Sequence, residues 1–146
     1  MEKLKRKLSL LNIPVYEVND DRELINIIDC HLDSTGDFLY ERNIRIYYDC
    51  DDMSNVNHDD NLNFMVFNAL IGVSESSILF FNNELLENIS KLDNAFFPVL
   101  TVKEKNVVDF IEVALHRISN GSIYNNVEII TPEAIPHNAL VVFLKE

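Results

Sequence analysis

Residues 96–102, Phe96-Phe97-Pro98-Val99-Leu100-Thr101-Val102, form an extended segment, and a helical pattern begins shortly after it at Asn106. Pro98 has no amide hydrogen to donate, which favours an edge strand or the start of a strand. The residues of the helical pattern recur at a spacing of three and four: Val107, Phe110, Ile111, Ala114, Leu115 and Ile118. This stretch therefore predicts a chain that combines strands with amphipathic helices.

The same reading extends to both ends of the chain. Apolar residues alternate from Phe38 to Tyr48 around a polar turn at 41–43, which predicts a β-hairpin. Further strands are predicted at 77–81, 127–131 and 139–144, and further helices at 2–11, from a cap at Asn19 or Asp20 to about residue 34, and at 83–92. Because no regular strand–helix–strand rhythm is visible, the sequence predicts an α+β fold with helices packed on a mainly antiparallel sheet.

Composition limits the class of protein. The chain has 146 residues, of which 47% are hydrophobic and 25% charged, so we expect one globular domain spanning residues 1–146. Its net charge of −12 argues against direct binding of nucleic acid or of an anionic membrane. Two cysteines are too few for a disulfide scaffold, and no secretion signal or membrane span is visible, so we expect a cytoplasmic protein. The basic run at 3–7 predicts the solvated face of the first helix.

The most unusual feature is a stretch of acidic residues. Between Arg45 and Lys91 there is no lysine or arginine, but there are eight carboxylates. Five of them fall in one polar loop: Asp49, Asp51, Asp52, Asp59 and Asp60. Tyr47 and Tyr48 precede this loop, and aromatic anchors inside a rim of one charge sign are typical of protein-binding surfaces. These seven residues are therefore the predicted partner-binding site, although a purely solubilising acidic surface is the alternative.

Catalytic and metal-binding motifs are missing from the sequence. Asp49, Asp51 and Asp60 match positions 1, 3 and 12 of a calcium loop, but Met53 and Ser54 occupy positions that need an oxygen ligand and a glycine. Paired cysteines for zinc, a His-Glu-x-x-His motif and a Gly-x-Ser-x-Gly elbow are all lacking. Three isolated glycines cannot form a phosphate-binding loop. The sequence thus predicts no catalytic residue, no metal and no cofactor.

Charge and the lack of motifs together suggest a binding protein. In size and charge the chain resembles bacterial immunity proteins and antitoxins. The leading hypothesis is an inhibitor that neutralises a basic effector, such as a cognate nuclease toxin, through the acidic loop. The alternatives are a non-inhibitory interaction module (an adaptor or a secretion chaperone), a phage inhibitor that mimics nucleic acid, and a metal-binding domain. Homodimerisation through apolar strands stays open.

Overall fold

The computed structural model describes residues 1–34, 43–48, 61–82, 96–120 and 127–145. The helices are α1 (Glu2–Leu10), α2 (Leu24–Ser34) and α3 (Ile111–Asn120). The strands are β1 (Val15–Val18), β2 (Asn43–Tyr48), β3 (Asn61–Asn68), β4 (Ile71–Val73), β5 (Ile78–Asn82), β6 (Phe96–Lys103), β7 (Val107–Val108), β8 (Val127–Ile130) and β9 (Leu140–Leu144). Short 3-10 turns lie at Asp21–Glu23, Glu104–Asn106 and Pro132–Ala134.

The larger sheet is entirely parallel. Its five strands run in the order β1-β9-β6-β3-β2, and all four neighbouring pairs are parallel. A second sheet of order β7-β4-β5-β8 mixes parallel and antiparallel pairs. The predicted mainly antiparallel α+β fold is therefore wrong, and the arrangement is α/β. The first strand of the predicted hairpin lies outside the described residues, and β2 pairs in parallel with β3.

The apolar character of the long strands explains why the prediction failed. In β3, Phe64 and Val66 point to one face of the parallel sheet, whereas Met65 and Phe67 point to the other, and all four are buried. Parallel strands that are covered on both faces are nearly continuous apolar runs. Such runs carry no alternation that would tell the direction of the neighbouring strand.

Helices and the second sheet cover the two faces of the parallel sheet. Leu24, Ile28 and Leu32 of α2 pack on one face, which we call the α2 face. Leu4 and Leu8 of α1 pack on the other, the α1 face, together with side chains of β5 and β8. The connection through α2 crosses the sheet from β1 to β2, and the later connections cross in the opposite direction.

The last helix begins later than its sequence pattern indicates. Val107 and Val108 form β7, which pairs with β4, and α3 begins only at Ile111. Ala114 is the buried residue of α3 and packs on the outer face of the second sheet. Leu115, which the pattern assigned to the buried stripe, is 49% exposed. The apolar stripe thus supplies both a strand and a helix.

Pro98 lies inside the parallel sheet and not at its edge. β6 is paired on both sides, with β3 and with β9. Pairing with β9 starts only at Val99, opposite Leu140, whereas Pro98 is opposite Met65 of β3. The missing amide hydrogen therefore falls before the ladder with β9 begins, which is how an interior strand accommodates this proline.

The basic face of α1 is used in ion pairs. Lys3 pairs with Glu75 after β4, and Lys7 donates a hydrogen bond to the Glu75 carbonyl oxygen at 2.7 Å. Lys5 pairs with Glu17 on β1, which also lies 3.1 Å from the Lys145 ammonium. Hydrogen bonds from both lysines hold the pKa of Glu17 below its ordinary value of 4.5. The run predicted as a solvated face therefore ties α1 to both sheets.

Candidate functional site

The carboxyl ends of β3 and β6 carry polar side chains on a face that is otherwise apolar. Phe64 and Val66 precede Asn68 on the α2 face, and on the neighbouring strand Val99 precedes Thr101 in the same register. Thr101 is buried and its hydroxyl donates a hydrogen bond to the side-chain oxygen of Asn68. Ligands of open α/β sheets bind outside the carboxyl ends of the strands. This edge of the sheet is therefore a candidate ligand site.

Two lysines stand at the same edge. Lys103 ends β6 and is half-buried, and Lys105 is exposed in the 3-10 turn that follows. They line a cavity of about 410 Å³ together with Asp21, Asn68, Ala69, Leu70, Thr101 and Asn106. The cavity has one carboxylate and two ammonium groups, in a chain whose acids outnumber its bases 24 to 12. The local sign of charge is thus opposite to that of the chain.

A second cavity adjoins the first. It measures about 230 Å³ and shares Leu70 and Asn106 with the larger cavity. Its other lining residues are Ile71, Arg117 and Ile118. Arg117 belongs to the last turn of α3 and is exposed. We call the two cavities together the basic cleft, whose cationic residues are Lys103, Lys105 and Arg117.

The cations of the basic cleft differ from most described lysines in their pairing. Each of the lysines of α1 contacts an oxygen of Glu17 or Glu75, as described above. By contrast, no described carboxylate forms an ion pair with Lys103, Lys105 or Arg117 among the parts of the chain that the structure covers. Ammonium and guanidinium groups that lack a protein anion are available to an external one. The cleft therefore has the chemistry of an anion site.

Asp20 and Asp21, which follow β1, have different roles beside the cleft. Asp20 caps the 3-10 turn, where its carboxylate accepts a hydrogen bond from the Arg22 amide at 2.9 Å and lies 2.7 Å from the Arg22 guanidinium. These contacts with Arg22 hold the pKa of Asp20 below its ordinary value. Asp21 lines the cavity itself. With one carboxylate and two ammonium groups in its lining, the larger cavity keeps a net positive charge.

The predicted partner-binding residues can be placed only in part. Tyr47 and Tyr48 lie on β2, the last strand in the order of the described sheet, and both are half-buried. As neighbours on a strand they point to opposite faces, where Tyr47 packs against the α1-face core and Tyr48 against the α2-face core. The five predicted carboxylates, Asp49, Asp51, Asp52, Asp59 and Asp60, lie outside the described residues. The two tyrosines thus contribute to packing and do not form one patch.

A histidine–tyrosine pair is a second polar feature of the α2 face. The Tyr16 hydroxyl lies 2.7 Å from Nδ1 of His31, and their rings meet edge-on with centroids 5.6 Å apart. Burial lowers the pKa of His31 from its ordinary value of 6.5. The pair joins β1 to α2 and lines none of the cavities described here. Its position between two packed elements indicates a structural role.

One other cavity lies at the start of β1. It measures about 300 Å³, and apolar residues and prolines, among them Ile13, Pro14 and Ile135, form much of its wall. It contains neither a lysine nor an arginine, and its charged group is Glu133. The described residues also contain no group of three or more histidine, cysteine, aspartate or glutamate side chains arranged to hold a metal. Of the three cavities described, the two that form the basic cleft therefore offer the most convergent set of ligand-binding groups.

Comparison with known proteins extends the fold assignment. No protein-family model and no curated protein sequence matches this chain. A solved structure, that of a DUF162 family protein from Deinococcus radiodurans, is similar with a TM-score of 0.60 and 11% sequence identity. The match covers 98% of this chain and 94% of that one. At this identity the likeness shows a shared α/β fold and nothing about function.

No described helix is long and apolar enough to cross a lipid bilayer.

The three cations of the basic cleft were not identified from the sequence. For Lys103 the sequence does hold a signal, because alternate residues of its strand change from apolar to polar in the order Val99, Thr101, Lys103. This pattern indicates a ligand site only when the sheet is known to be parallel, because only then do Asn68 and Lys103 lie at the same edge.

Proposed function

We propose that this protein binds a small anionic molecule, with a carboxylate or phosphate group, in the basic cleft. One observation carries the proposal. Lys103, Lys105 and Arg117 line adjoining cavities without forming ion pairs with the described carboxylates, although the chain carries a net charge of −12. In such a chain, a local excess of cations is a feature that a bound anion would use.

Supporting polar groups surround the cations. Asn68 and Asn106 have amide groups that can donate hydrogen bonds to an anion, and the hydroxyl of Thr101 fixes the orientation of Asn68. Leu70 supplies an apolar wall. Small-molecule sites combine such walls with a few convergent polar groups, in volumes of about 300–1,000 Å³. The larger cavity, at about 410 Å³, falls within that range.

The experiment is a calorimetric titration of the full chain with inorganic phosphate and with short carboxylates. A hydrogen bond to a charged group contributes about 1.5–3 kcal/mol, so we expect Lys103→Gln to weaken binding about tenfold or more. Lys105→Gln should have a smaller effect, since Lys105 is exposed. Binding should weaken as salt concentration rises, because exposed charges are screened over about 10 Å at 0.1 M salt.

Arg6→Gln is the matched control. Arg6 is exposed on α1, on the opposite face of the parallel sheet, and the substitution removes the same charge. It should leave affinity unchanged within about twofold. If no anion binds the wild-type chain, or if Arg6→Gln weakens binding as much as Lys103→Gln does, the proposal is wrong.

A second proposal retains the inhibitor role that charge alone suggests. Residues 17–60 carry thirteen acids and three arginines, a local charge of −10, which favours fast encounter with a basic protein such as a nuclease toxin. The acidic loop 49–60 follows β2 directly. The test is to reverse Asp51, Asp52, Asp59 and Asp60 to lysine and to measure affinity for the candidate effector. Unchanged binding at low salt would eliminate this surface.

A further inference from the structure

The basic cleft continues beyond its two lysines. Leu70 and Asn106 line both cavities, so the cavity beside Lys103 and Lys105 adjoins the cavity beside Arg117 at these two residues. The lysines belong to the end of β6 and the turn after it, whereas Arg117 belongs to α3. Cations from separate elements thus lie at the two ends of the basic cleft.

The section between these ends is lined by uncharged side chains. Leu70, Ile71 and Ile118 line the smaller cavity, and Asn106 is its neutral polar residue. A ligand that filled the whole cleft would therefore place an uncharged segment against these side chains. Charged groups in this section would lose hydration without gaining an opposite charge.

Arg117 also suits an anionic group by its chemistry, and its charge opposes the partial negative charge of the helix end where it lies. A guanidinium group offers paired donors that match a carboxylate or phosphate in a bidentate arrangement. The last turn of a helix carries a partial negative charge, which disfavours an anion there unless a cation offsets it. Arg117 lies in that turn of α3 and provides such a cation.

We infer that the ligand of the basic cleft is a short dianion, with one anionic group at Lys103 and Lys105, a neutral middle, and a second anionic group at Arg117. This inference rests on the proposed anion binding and specifies its ligand class. Dicarboxylates and phosphonocarboxylates share this chemistry.

The test compares dianions with monoanions of equal chain length by calorimetry on the full chain. The probes are succinate, glutarate and adipate against butyrate, valerate and caproate, and 3-phosphonopropionate against propylphosphonate. We expect at least one dianion to bind about tenfold more tightly than its matched monoanion. The phosphonate arm distinguishes a phosphorylated ligand from a dicarboxylate.

Variants locate the second anionic group. Arg117→Gln should remove the advantage of the dianion, because it should lower dianion affinity more than monoanion affinity, whereas Lys103→Gln should weaken both. Arg6→Gln should change neither. If monoanions bind but dianions show no advantage, or if Arg117→Gln leaves that advantage intact, the dianion inference is wrong and the anion site stands. If neither class of probe binds, the anion site fails as well.

Discussion

Replacing Gly72 with alanine should destabilise the protein through a single close contact. Gly72 lies on β4, and a Cβ atom there would lie 2.8 Å from Cδ2 of Leu4 and 3.2 Å from Cγ1 of Val102. Carbon atoms pack best at about 3.5–4.0 Å. Leu4 and Val102 are both fully buried, so neither side chain has open space to turn into. Overpacking of this kind costs about 1–3 kcal/mol.

Thermal unfolding followed by circular dichroism measures the effect. For a chain of this length each kcal/mol lowers Tm by about 2–4 °C, so the variant Gly72→Ala should melt about 2–12 °C lower. Leu4→Ala alone should cost about 2–5 kcal/mol through its cavity. In the Leu4→Ala background the added methyl group has room, so its penalty should fall by more than half.

Two results would refute this reasoning. Alanine is otherwise preferred to glycine in a strand by about 0.5–1 kcal/mol, so a higher Tm for Gly72→Ala would mean that the close contact relaxes freely. An equal penalty in both backgrounds would mean that Leu4 is not the obstacle. Ser76→Ala, in the exposed turn after β4, is a control that should stay within about 0.5 kcal/mol of wild type.

Three further predictions concern ion pairs, a buried ring and the face of α3. Glu17→Gln should lower the free energy of unfolding by about 1 kcal/mol at pH 7, since two partly exposed ion pairs contribute about 0.2–1 kcal/mol each. Because folding lowers the pKa of Glu17, the wild-type advantage should exist above pH 4.5 and disappear as pH falls through the folded pKa. Urea unfolding of both proteins at several pH values measures this. Tyr16→Phe should lower the free energy of unfolding by about 0.5–1.5 kcal/mol through the lost hydrogen bond. Because folding lowers the pKa of His31, wild-type stability should decrease below pH 6.5. His31→Gln should reduce that decrease in the same unfolding series. Ala114→Leu should cost about 1–3 kcal/mol by overpacking, whereas Leu115→Ala should cost less than about 1 kcal/mol because Leu115 is half-exposed; equal melting temperatures for the two variants would contradict the observed face of the helix.

Local elements followed well from the sequence. α1, the cap at Asp20 before α2, and the strands β5, β8 and β9 all lie close to their predicted positions. These features depend on residues near one another along the chain, such as the apolar spacing of Leu4 and Leu8 or the capping carboxylate of Asp20. Residues 83–92, predicted as a helix, lie outside the described part of the chain.

Strand direction and the ligand site did not follow from the sequence. β2 and β3 are separated by the acidic loop and could have paired in either direction, as could β6 and β9, which lie far apart along the chain. The alternation at Ile44, Ile46 and Tyr48 predicts a strand, which β2 confirms, but it does not predict that this strand pairs in parallel with β3. The acidic residues 49–60 and the net charge predicted a basic partner, whereas the basic cleft depends on a local excess of positive charge.

By itself the sequence determined where many of the described helices and strands lie, the amount of apolar surface available for a core, and the acidic balance of the chain. All three depend on composition and on short-range periodicity. Only the tertiary structure decided that the larger sheet is parallel and that Lys103, Lys105 and Arg117 meet at one cleft. The reason is physical: strand pairing is set by burial on both faces of the sheet, and it joins residues whose separation along the chain carries no local signal.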